Sequence, residues 1–315
     1  MTVAGLRIGI DVGGTKALAV AVDESGEVVA QERRDTPRGV DSIEPLIDTL
    51  VELATCFGPS ASLGIGVPGL VDRGGVLRAA PNLDGVADLD IHGRVSARLE
   101  GVDVRVDNDA TCALVAEWQV GAAVGVDDVV LVTLGTGIGG GVVAGGRLQR
   151  GRNGFAGEFG HMVVDPDGPR CPCGRRGCWE RYASGSGLGM LAREAAVARR
   201  LTAVVAHAGG DPQNVRGEHV QAAAMDGDAD ALAVIDDFGR WVALGLSNLT
   251  NALDPEMIVL GGGLAVGAEL YLDPITRWFE QLLYQPELRS IPTVTFARCG
   301  HLSGAIGAAL LSSAS

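Results

Sequence analysis

Basic side chains are few in this sequence, and acidic side chains outnumber them. The 315 residues include 25 Lys and Arg against 39 Asp and Glu, which gives a formal net charge of −14. Lys16 is the only lysine. A nucleic-acid-binding protein needs a basic surface to neutralise phosphates, so this composition argues against nucleic acid as a partner.

Long apolar runs are also missing, although 47% of the residues are hydrophobic. A membrane-spanning helix needs about 20 consecutive apolar residues, and no run reaches that length. The first residues contain neither the basic segment nor the cleavage site of a signal peptide. We therefore expect a cytoplasmic protein with a large apolar core and no membrane partner.

Cysteine is sparse, and its six copies divide into two groups. Cys56, Cys112 and Cys299 stand singly among apolar residues, which is typical of inert core thiols. The other three lie close together in the sequence and near a histidine. Unpaired thiols of this kind are usual in the reducing cytoplasm.

The clustered cysteines predict a metal site. His161, Cys171, Cys173 and Cys178 offer one imidazole and three thiolates, a donor set typical of tetrahedral Zn²⁺. Four protein ligands leave no open coordination position, so we interpret the zinc as structural rather than catalytic. A disulfide or a set of unpaired thiols is the alternative interpretation.

The length and the apolar patterns predict two α/β domains. Runs of apolar or alternating residues predict strands at 6–11, 17–22, 28–33, 63–67, 102–106, 129–134, 142–144 and 257–260. Helical spacing predicts helices at 42–56, 91–99, 108–120, 187–199, 229–253 and 303–311, with another after residue 263. We expect the domain boundary near the helix at 108–120, with a cleft between the halves.

Three glycine-rich segments follow predicted strands and could bring backbone N–H groups to phosphate. The first is a turn after Asp11, which could also hold Mg²⁺; a plain β-hairpin turn is the alternative. The second matches the dinucleotide fingerprint GxGxxG at 135–140, but a strand follows it rather than a helix, which argues against NAD. The third precedes a helix and is suited to a nucleoside, with ordinary strand–helix packing as the alternative. The candidate nucleotide residues are Asp11, Gly13, Gly14, Thr15, Lys16, Thr133, Gly135, Thr136, Gly137, Gly262 and Gly263.

The first two glycine segments occupy equivalent places, each between the first two strands of one half of the chain. This arrangement indicates an internal duplication that is visible in the order of elements and not in residue identity.

A polar triplet stands where a predicted strand gives way to a helix. Asp107, Asn108 and Asp109 follow the strand at 102–106. Helix N-capping explains one of these residues, since Asn and Asp are favoured there. Ligands of open α/β sheets gather at this end of the strands, so we expect Asp109 to accept the hydroxyl proton of a phosphoryl acceptor.

Two longer segments give the sequence a family resemblance. The spacing from Leu134 to His161 ends in the motif Gly-Glu-Phe-Gly-His at 157–161, and Cys-Pro-Cys-Gly-Arg-Arg-Gly-Cys-Trp-Glu follows at 171–180. Both resemble motifs of the ROK sugar kinases, and the resemblance covers essentially the whole chain. It implies a two-domain hexokinase/actin-like (ribonuclease H-like) α/β fold with an interdomain ATP and sugar cleft.

The resemblance also implies domain limits and residue roles. An N-terminal α/β domain would span 1–115, with the C-terminal helix at 301–315 packing back on it, and a larger domain carrying the zinc loop would span 116–300. Asp109 would be the catalytic base, and His161 would use one ring nitrogen for zinc and the other near the sugar. Sugar contacts would come from Gly69, Asn82, Asn108, Asp109, Glu158, His161 and Glu180.

These features predict an ATP-dependent hexose kinase, with glucose as the expected acceptor. The sequence reads Asp84-Gly85-Val86 where many glucokinase-like members carry a tryptophan, which leaves N-acetylhexosamine or mannose as alternative acceptors. Polyphosphate is an alternative donor. A regulator of the same family would carry a DNA-binding segment before the first predicted strand, where this sequence has only residues 1–5. An actin-like nucleotide switch would have no use for the zinc-braced pocket. Family members are commonly homodimers or homotetramers.

Overall fold

The structure, a computed structural model, describes residues 5–39, 41–80, 86–198 and 201–314. The chain divides into two compact units. The first comprises Met1–Leu131, Gly140–Gly157 and Arg298–Ser315, and the second comprises Val132–Gly139 and Glu158–Ala297. The chain therefore passes between the units four times, at 131/132, 139/140, 157/158 and 297/298.

Within the described residues, single helices separate strands or runs of strands as far as residue 148, and five helices then follow one another before the last two strands. The strands are β1 (Arg7–Val12), β2 (Lys16–Val22), β3 (Val28–Asp35), β4 (Ser62–Val67), β5 (Leu70–Val71), β6 (Val76–Ala79), β7 (Ala87–Asp90), β8 (Asp103–Asn108), β9 (Val129–Leu134), β10 (Ile138–Ala144), β11 (Arg147–Leu148), β12 (Met257–Gly261) and β13 (Thr293–Phe296). The helices are α1 (Ile43–Thr55), α2 (Ile91–Ser96), α3 (Asp109–Gln119), α4 (Glu180–Ala183), α5 (Gly185–Val197), α6 (Thr202–His207), α7 (Gly217–Met225), α8 (Ala229–Leu253), α9 (Ala268–Leu282) and α10 (Ser303–Leu310).

The main sheet of the first unit has the strand order β3-β2-β1-β4-β8. Its first three strands form an antiparallel meander, and β1, β4 and β8 are parallel. Because β1 and β2 are apolar along almost their whole length, both faces of the sheet must be covered. Helices α1 and α2 cover one face, and α3 and α10 cover the other.

Helix α10 lies unusually close to the sheet because glycines face it. A Cβ atom placed on Gly9 of β1 would lie 1.9 Å from the carbonyl oxygen of Ala305, and one on Gly64 of β4 would lie 1.7 Å from that of Ala308. Any side chain at these two positions would push the helix away. The small residues of α10 therefore pack directly on strand backbone.

The second unit is built around the long helix α8. Asp228 caps its start by accepting a hydrogen bond from the amide of Ala231, and Asp254 ends it in a left-handed conformation with φ +47°. Its buried residues recur every three or four positions, and they pack against α4, α5, α7 and α9. Within the described residues, no helix combines the length and the apolar character needed to cross a membrane.

A second five-stranded sheet has the order β11-β10-β9-β12-β13. One sequence prediction was wrong here: residues 135–141 were expected to form a loop, but β10 already begins at Ile138. Gly141 shows why, since a Cβ there would lie 2.8 Å from the Leu114 side chain. These glycines are strand residues at a site of close packing, so composition misled the prediction.

Several elements escaped the sequence analysis. They include the small antiparallel sheet β5-β6-β7, the helices α4, α6 and α7, and the strand β13. The predicted helix at 91–99 ends earlier, at Ser96. Cys112 is buried and Cys299 is partly buried as expected, but Cys56 is exposed, so its assignment to the core was wrong. It lies at the end of α1, just past the buried stripe of that helix.

Candidate active site

The first glycine segment is a tight hairpin turn between β1 and β2. The amide of Gly13 donates to the carbonyl oxygen of Lys16 at 2.9 Å, and the hydroxyl of Thr36 donates to the carbonyl oxygen of Gly13 at 2.8 Å. Thr15 and Lys16 are exposed at the tip. The turn is therefore held rigidly in place from below by Thr36, with its tip open to a ligand.

Asp11 lies one residue before the end of β1 and faces the first turn of α10. A Cβ placed on Gly304 would lie 2.7 Å from the Asp11 carboxylate, so only glycine fits there. Burial raises the pKa of Asp11 to about 7, and the negative charge of Asp109 adds to the effect. Two carboxylates close enough to repel each other in a buried setting form a suitable binding place for a cation.

Asn108 is the residue of the polar triplet that caps the helix. Its side-chain oxygen accepts hydrogen bonds from the amides of Ala110 (2.9 Å) and Thr111 (3.1 Å) at the start of α3. Its amide nitrogen donates to the carbonyl oxygen of Gly69 at 3.1 Å, and Gly69 has φ +116°. Asn108 thus fixes α3 and the turn after β4 in one arrangement.

Asp109 is the first residue of α3. One of its carboxylate oxygens accepts a hydrogen bond from the amide of Ala110 at 2.9 Å. The N-terminal end of a helix favours negative charge, so this position suits a carboxylate that accepts a hydrogen bond from a ligand.

A buried ion pair lies immediately beside this motif. Arg150 donates from Nε to the Asp107 carboxylate at 2.7 Å, and the Asp107 side chain is only 7% exposed. Asp107 also accepts from the amide of Asn108 at 2.9 Å. Sequence analysis missed Arg150 because it lies 43 residues from its partner and belongs to no local motif.

The glycine loop of the second unit, like the first glycine segment, is held by hydrogen bonds of its backbone and of a threonine hydroxyl. The amide of Gly135 donates to the carbonyl oxygen of Gly137, and Thr133 accepts from the amide of Gly139, both at 3.0 Å. The hydroxyl of Ser186 donates to the carbonyl oxygen of Thr136 at 2.8 Å, which ties the loop to the start of α5. Ser186 is a second residue that the sequence did not reveal.

Gly262 also approaches this loop. It has φ +85°, and a Cβ there would lie 2.7 Å from the carbonyl oxygen of Leu134. A left-handed conformation with backbone contact on one side requires glycine. Gly263 opens the short 3-10 helix Gly263–Gly267 that leads into α9, and a Cβ there would meet open space.

The structure brings the four predicted zinc ligands together. The donor atoms of His161, Cys171, Cys173 and Cys178 all lie within 4.8 Å of one another. The sulfurs of Cys173 and Cys178 are 3.6 Å apart, and Nδ1 of His161 is 4.0 Å from the Cys171 sulfur. A tetrahedral zinc with Zn–S bonds of about 2.3 Å requires sulfurs about 3.8 Å apart, so the donor set and its spacing fit the ion.

Two carboxylates flank the imidazole of His161. Oε1 of Glu180 lies 3.6 Å from Nδ1, and Oε2 of Glu158 lies 3.8 Å from Nε2. Glu180 also accepts a hydrogen bond from the Cys171 thiol at 3.0 Å. Burial raises the pKa of Glu158, the neighbouring His161 opposes that rise, and the negative charge of Glu180 adds to it. The second unit therefore presents polar groups suited to hydroxyl ligands.

Glu180 is also close to the glycine loop. A Cβ placed on Gly137 would lie 2.8 Å from Oε2 of Glu180. The loop glycine is thus needed partly so that this carboxylate can lie against the loop.

An aromatic platform supports Glu180 from the protein interior. The indole of Trp179 is fully buried and donates to the carbonyl oxygen of Trp241 at 2.7 Å. Tyr182 stacks on Trp241 with ring centroids 4.0 Å apart, and its hydroxyl donates to Asp165 at 2.8 Å. Since Glu180 lies between Trp179 and Tyr182 in the sequence, this packing fixes its backbone.

The profile of the ROK family matches residues 7–315, which is nearly the whole chain. The chain belongs to the ROK family. A glucokinase from Streptomyces coelicolor is 38% identical over 308 residues, covering 97% of this chain and 96% of that protein. An N-acetyl-D-glucosamine kinase from Pectobacterium atrosepticum is 38% identical over 319 residues, covering 96% and 97%.

The fold comparison agrees with the sequence comparison. The crystal structure of a ROK family glucokinase from Streptomyces griseus, in complex with glucose and AMPPNP, matches with a TM-score of 0.85 and 38% identity. The match covers 98% of this chain and 99% of that one. The predicted resemblance to the ROK family and the predicted two-domain α/β fold are thereby confirmed.

One predicted sugar contact of this ROK protein lies outside the described residues. Asn82 falls within 81–85, between β6 and β7. The other predicted residues divide between the units: Asp11, Gly69, Asn108 and Asp109 belong to the first, and the cysteine cluster, Glu158, His161 and Glu180 belong to the second.

Proposed function

We propose that this ROK-family protein is an ATP-dependent glucose kinase that transfers the γ-phosphoryl group of ATP to the 6-hydroxyl of glucose. The observation that carries the proposal is the 38% identity to glucokinases over 97% of the chain. The likeness to a glucokinase structure with glucose and AMPPNP supports the same acceptor and donor.

In this proposal, Asp109 is the general base. Its carboxylate would hydrogen-bond the 6-hydroxyl, orient the oxygen towards the γ-phosphorus, and receive the proton. Because phosphoryl transfer has a loose transition state, the orientation of the hydroxyl matters more than early removal of its proton. The capping bonds of Asn108 support this role, since they hold the start of α3 rigid.

We further propose that Glu158, His161 and Glu180 bind the remaining sugar hydroxyls, together with Asn108, Gly69 and Asn82. A zinc ion held by the three cysteines and His161 would fix the tautomer and the direction of the imidazole. Nδ1 is the ring nitrogen near the Cys171 sulfur, which leaves Nε2 and Oε2 of Glu158, 3.8 Å apart, to share a sugar hydroxyl.

The glycine segments would bind the nucleotide. Backbone amides of the two glycine loops and the hydroxyls of Thr15 and Thr136 would contact the phosphates, and Gly262 and Gly263 would approach the nucleoside. Asp11 is the residue that would hold Mg²⁺, directly or through water. When bound, the ion would neutralise phosphate charge during transfer.

N-acetylglucosamine is the second candidate acceptor, favoured by the 38% identity to an N-acetyl-D-glucosamine kinase over 96% of the chain. Such a kinase would need room for the acetamido group at the sugar 2-position. The same base and the same nucleotide residues would serve either acceptor.

Steady-state turnover across a sugar panel tests the acceptor. Glucose, mannose, fructose, N-acetylglucosamine and N-acetylmannosamine would each be assayed with ATP, and with polyphosphate in its place. We expect the highest kcat/KM for glucose with ATP. A preference for an N-acetylated sugar would overturn the acceptor, a preference for polyphosphate would overturn the donor, and no turnover with any pair would overturn the proposal.

We also propose that the protein is a homodimer or homotetramer, as its membership of the ROK family implies. Sedimentation velocity over a range of concentrations tests this. A single monomeric species throughout would contradict it.

A further inference from the structure

Glu117 is a fully buried carboxylate that the proposed chemistry does not use. It lies in α3, about two turns after Asp109, and its exposed fraction is 0%. A buried charge is costly unless it is fully hydrogen-bonded. Its partners therefore indicate what the residue is for.

Three backbone amides satisfy the Glu117 carboxylate. Oε2 accepts from Ala122 at 2.8 Å and from Arg298 at 2.9 Å, and Oε1 accepts from Cys299 at 2.7 Å. Gly121 leaves room for this arrangement, since a Cβ there would lie 2.2 Å from Oε2. The carboxylate thus joins the end of α3 to a segment 181 residues further along the chain.

That segment is where the chain re-enters the first unit. The first unit resumes at Arg298, and the 3-10 turn Gly300–Leu302 then leads directly into α10. Glu117 therefore holds the entrance of the C-terminal helix, within one short turn of its first residue.

The position of α10 in turn sets the surroundings of Asp11. Gly304, in the first turn of α10, lies against the Asp11 carboxylate. Gly307 lies against α3 itself, where a Cβ would come within 1.6 Å of the carbonyl oxygen of Cys112. Contacts this close leave α10 no room to shift without displacing Asp11.

We propose that Glu117 is a positioning residue for phosphoryl transfer, which acts by holding Arg298 and Cys299 so that α10 keeps Asp11 in place. The inference rests on the proposed function, because Asp11 is there the residue that would hold Mg²⁺. A residue that only stabilises the fold would have the same hydrogen bonds but no selective effect on the nucleotide side of the reaction.

The isosteric variant Glu117→Gln tests the proposal. Glutamine keeps one acceptor oxygen, so its NH₂ group would face either the Cys299 amide or the amides of Ala122 and Arg298, and the hold on this segment would be weakened. Misplacement of a catalytic group by about 1 Å costs on the order of 100-fold in rate, so we expect kcat to fall about 10- to 100-fold. The KM for magnesium–ATP should rise, and the KM for glucose should stay within about twofold of wild type.

Trp118→Phe is the matched control. Trp118 is the next residue of α3, and its indole nitrogen donates to the carbonyl oxygen of Val126 at 2.9 Å. Its ring packs on the core cluster that includes α10, a packing that phenylalanine largely keeps. The control should lower the melting temperature with little change in kcat or in either KM. If Glu117→Gln behaves in the same way, Glu117 is a structural residue and the proposal is wrong.

A double-mutant cycle with Gly304→Ala tests whether Glu117 affects Asp11 through α10. The added methyl group perturbs Asp11 directly, so Glu117→Gln should cost much less in that background than in wild type. Full additivity of the two changes would overturn a route through α10. If Glu117→Gln fails to fold, Gly121→Ala is the second variant. It keeps the Glu117 carboxylate but displaces it with the added methyl group.

Hydrogen exchange provides a readout that does not depend on kinase activity. In Glu117→Gln, the amides of Arg298 and Cys299 and the first turn of α10 should exchange faster than in Trp118→Phe. Unchanged exchange there would overturn the positioning role even if the wild-type protein phosphorylates no sugar. A wild-type protein without turnover, combined with faster exchange in the variant, would instead overturn only the proposed function.

Discussion

The two five-stranded sheets share one strand order but carry different chemistry at the same place. In each sheet the first strand is central, with the next two strands on one side and the last two on the other. Both first strands have six residues and lead into a glycine turn. The fifth residue is Asp11 in the first sheet and Thr133 in the second.

This difference shows how one strand order can carry different chemistry in two sheets. Asp11 is a partly buried carboxylate packed against α10, and a second carboxylate, Asp109, raises its pKa further. Thr133 is neutral, and its hydroxyl accepts the amide of Gly139 to shape the loop. In our account, the first unit supplies the carboxylates for cation binding and proton acceptance, and the second unit supplies the neutral glycine loop and the zinc-braced hydroxyl site.

The largest expected effect comes from removing the proposed base, which lies in the first unit. Asp109→Asn should lower kcat by about 10²- to 10⁴-fold, because the amide cannot accept the hydroxyl proton. Glucose binding, measured by calorimetry, should change little. A variant that retains more than about a tenth of wild-type kcat would show that another group takes the proton.

The next largest effect should come from removing a ligand of the metal cluster in the second unit. Cys173→Ser should reduce bound zinc, measured by plasma emission spectrometry, from one ion per chain to a small fraction. Loss of the ion would free His161, and we expect kcat/KM for glucose to fall about 10- to 100-fold.

Cys56→Ser is the control for that experiment, since Cys56 is an exposed thiol outside the cluster. It should keep both zinc and activity. If Cys173→Ser also kept its kcat/KM after losing zinc, the metal would have no part in ordering the sugar site.

A smaller effect concerns stability and pH. The pKa of Asp11 is about 7 in the folded protein against 3.8 as the ordinary value, so the folded state holds its proton more tightly than the unfolded state does. The Asp11 carboxyl therefore lowers the free energy of unfolding as pH rises from about 4 to about 7, and the destabilisation reaches its full size above pH 7. Asp11→Asn should raise the melting temperature by several degrees at pH 8 in magnesium-free buffer, and by nothing near pH 4.

Thr133→Ser serves as the matched change in the second sheet, and its melting temperature should track wild type at every pH. A gain for Asp11→Asn that is the same at all pH values would contradict the electrostatic origin of the effect.

The smallest effect should come from the loop hydroxyl. Thr133→Val removes the acceptor for the Gly139 amide, a hydrogen bond worth about 1 kcal/mol, so the KM for ATP should rise about fivefold or less. The KM for glucose should not change. A rise in glucose KM alone would place Thr133 on the sugar side of the reaction and weaken the comparison.

Sequence patterns predicted the features that depend on neighbouring residues. The zinc ligands lie within 18 positions of one another, the Asn108 cap acts within three residues, and the hairpin turn after Asp11 closes on itself. Such features are encoded by spacing and by residue chemistry, so they can be found in a single sequence.

Features that join distant segments could not be predicted in this way. Arg150 meets Asp107 across 43 residues, and Glu117 meets Cys299 across 182. Neither pair belongs to a local sequence motif, because the two partners come into contact only when the chain is folded. The start of β10 was missed for a related reason: tertiary packing against Leu114 selects glycine in a strand, where local preference indicates a turn.

The most direct test of the account is a crystal structure with glucose, magnesium and a non-hydrolysable ATP analogue bound. We expect the glucose 6-hydroxyl to hydrogen-bond the Asp109 carboxylate and to point at the terminal phosphate, with Glu158, His161 and Glu180 on the other hydroxyls. A sugar bound without contact to Asp109, or with Glu180 and His161 turned away from it, would contradict the account.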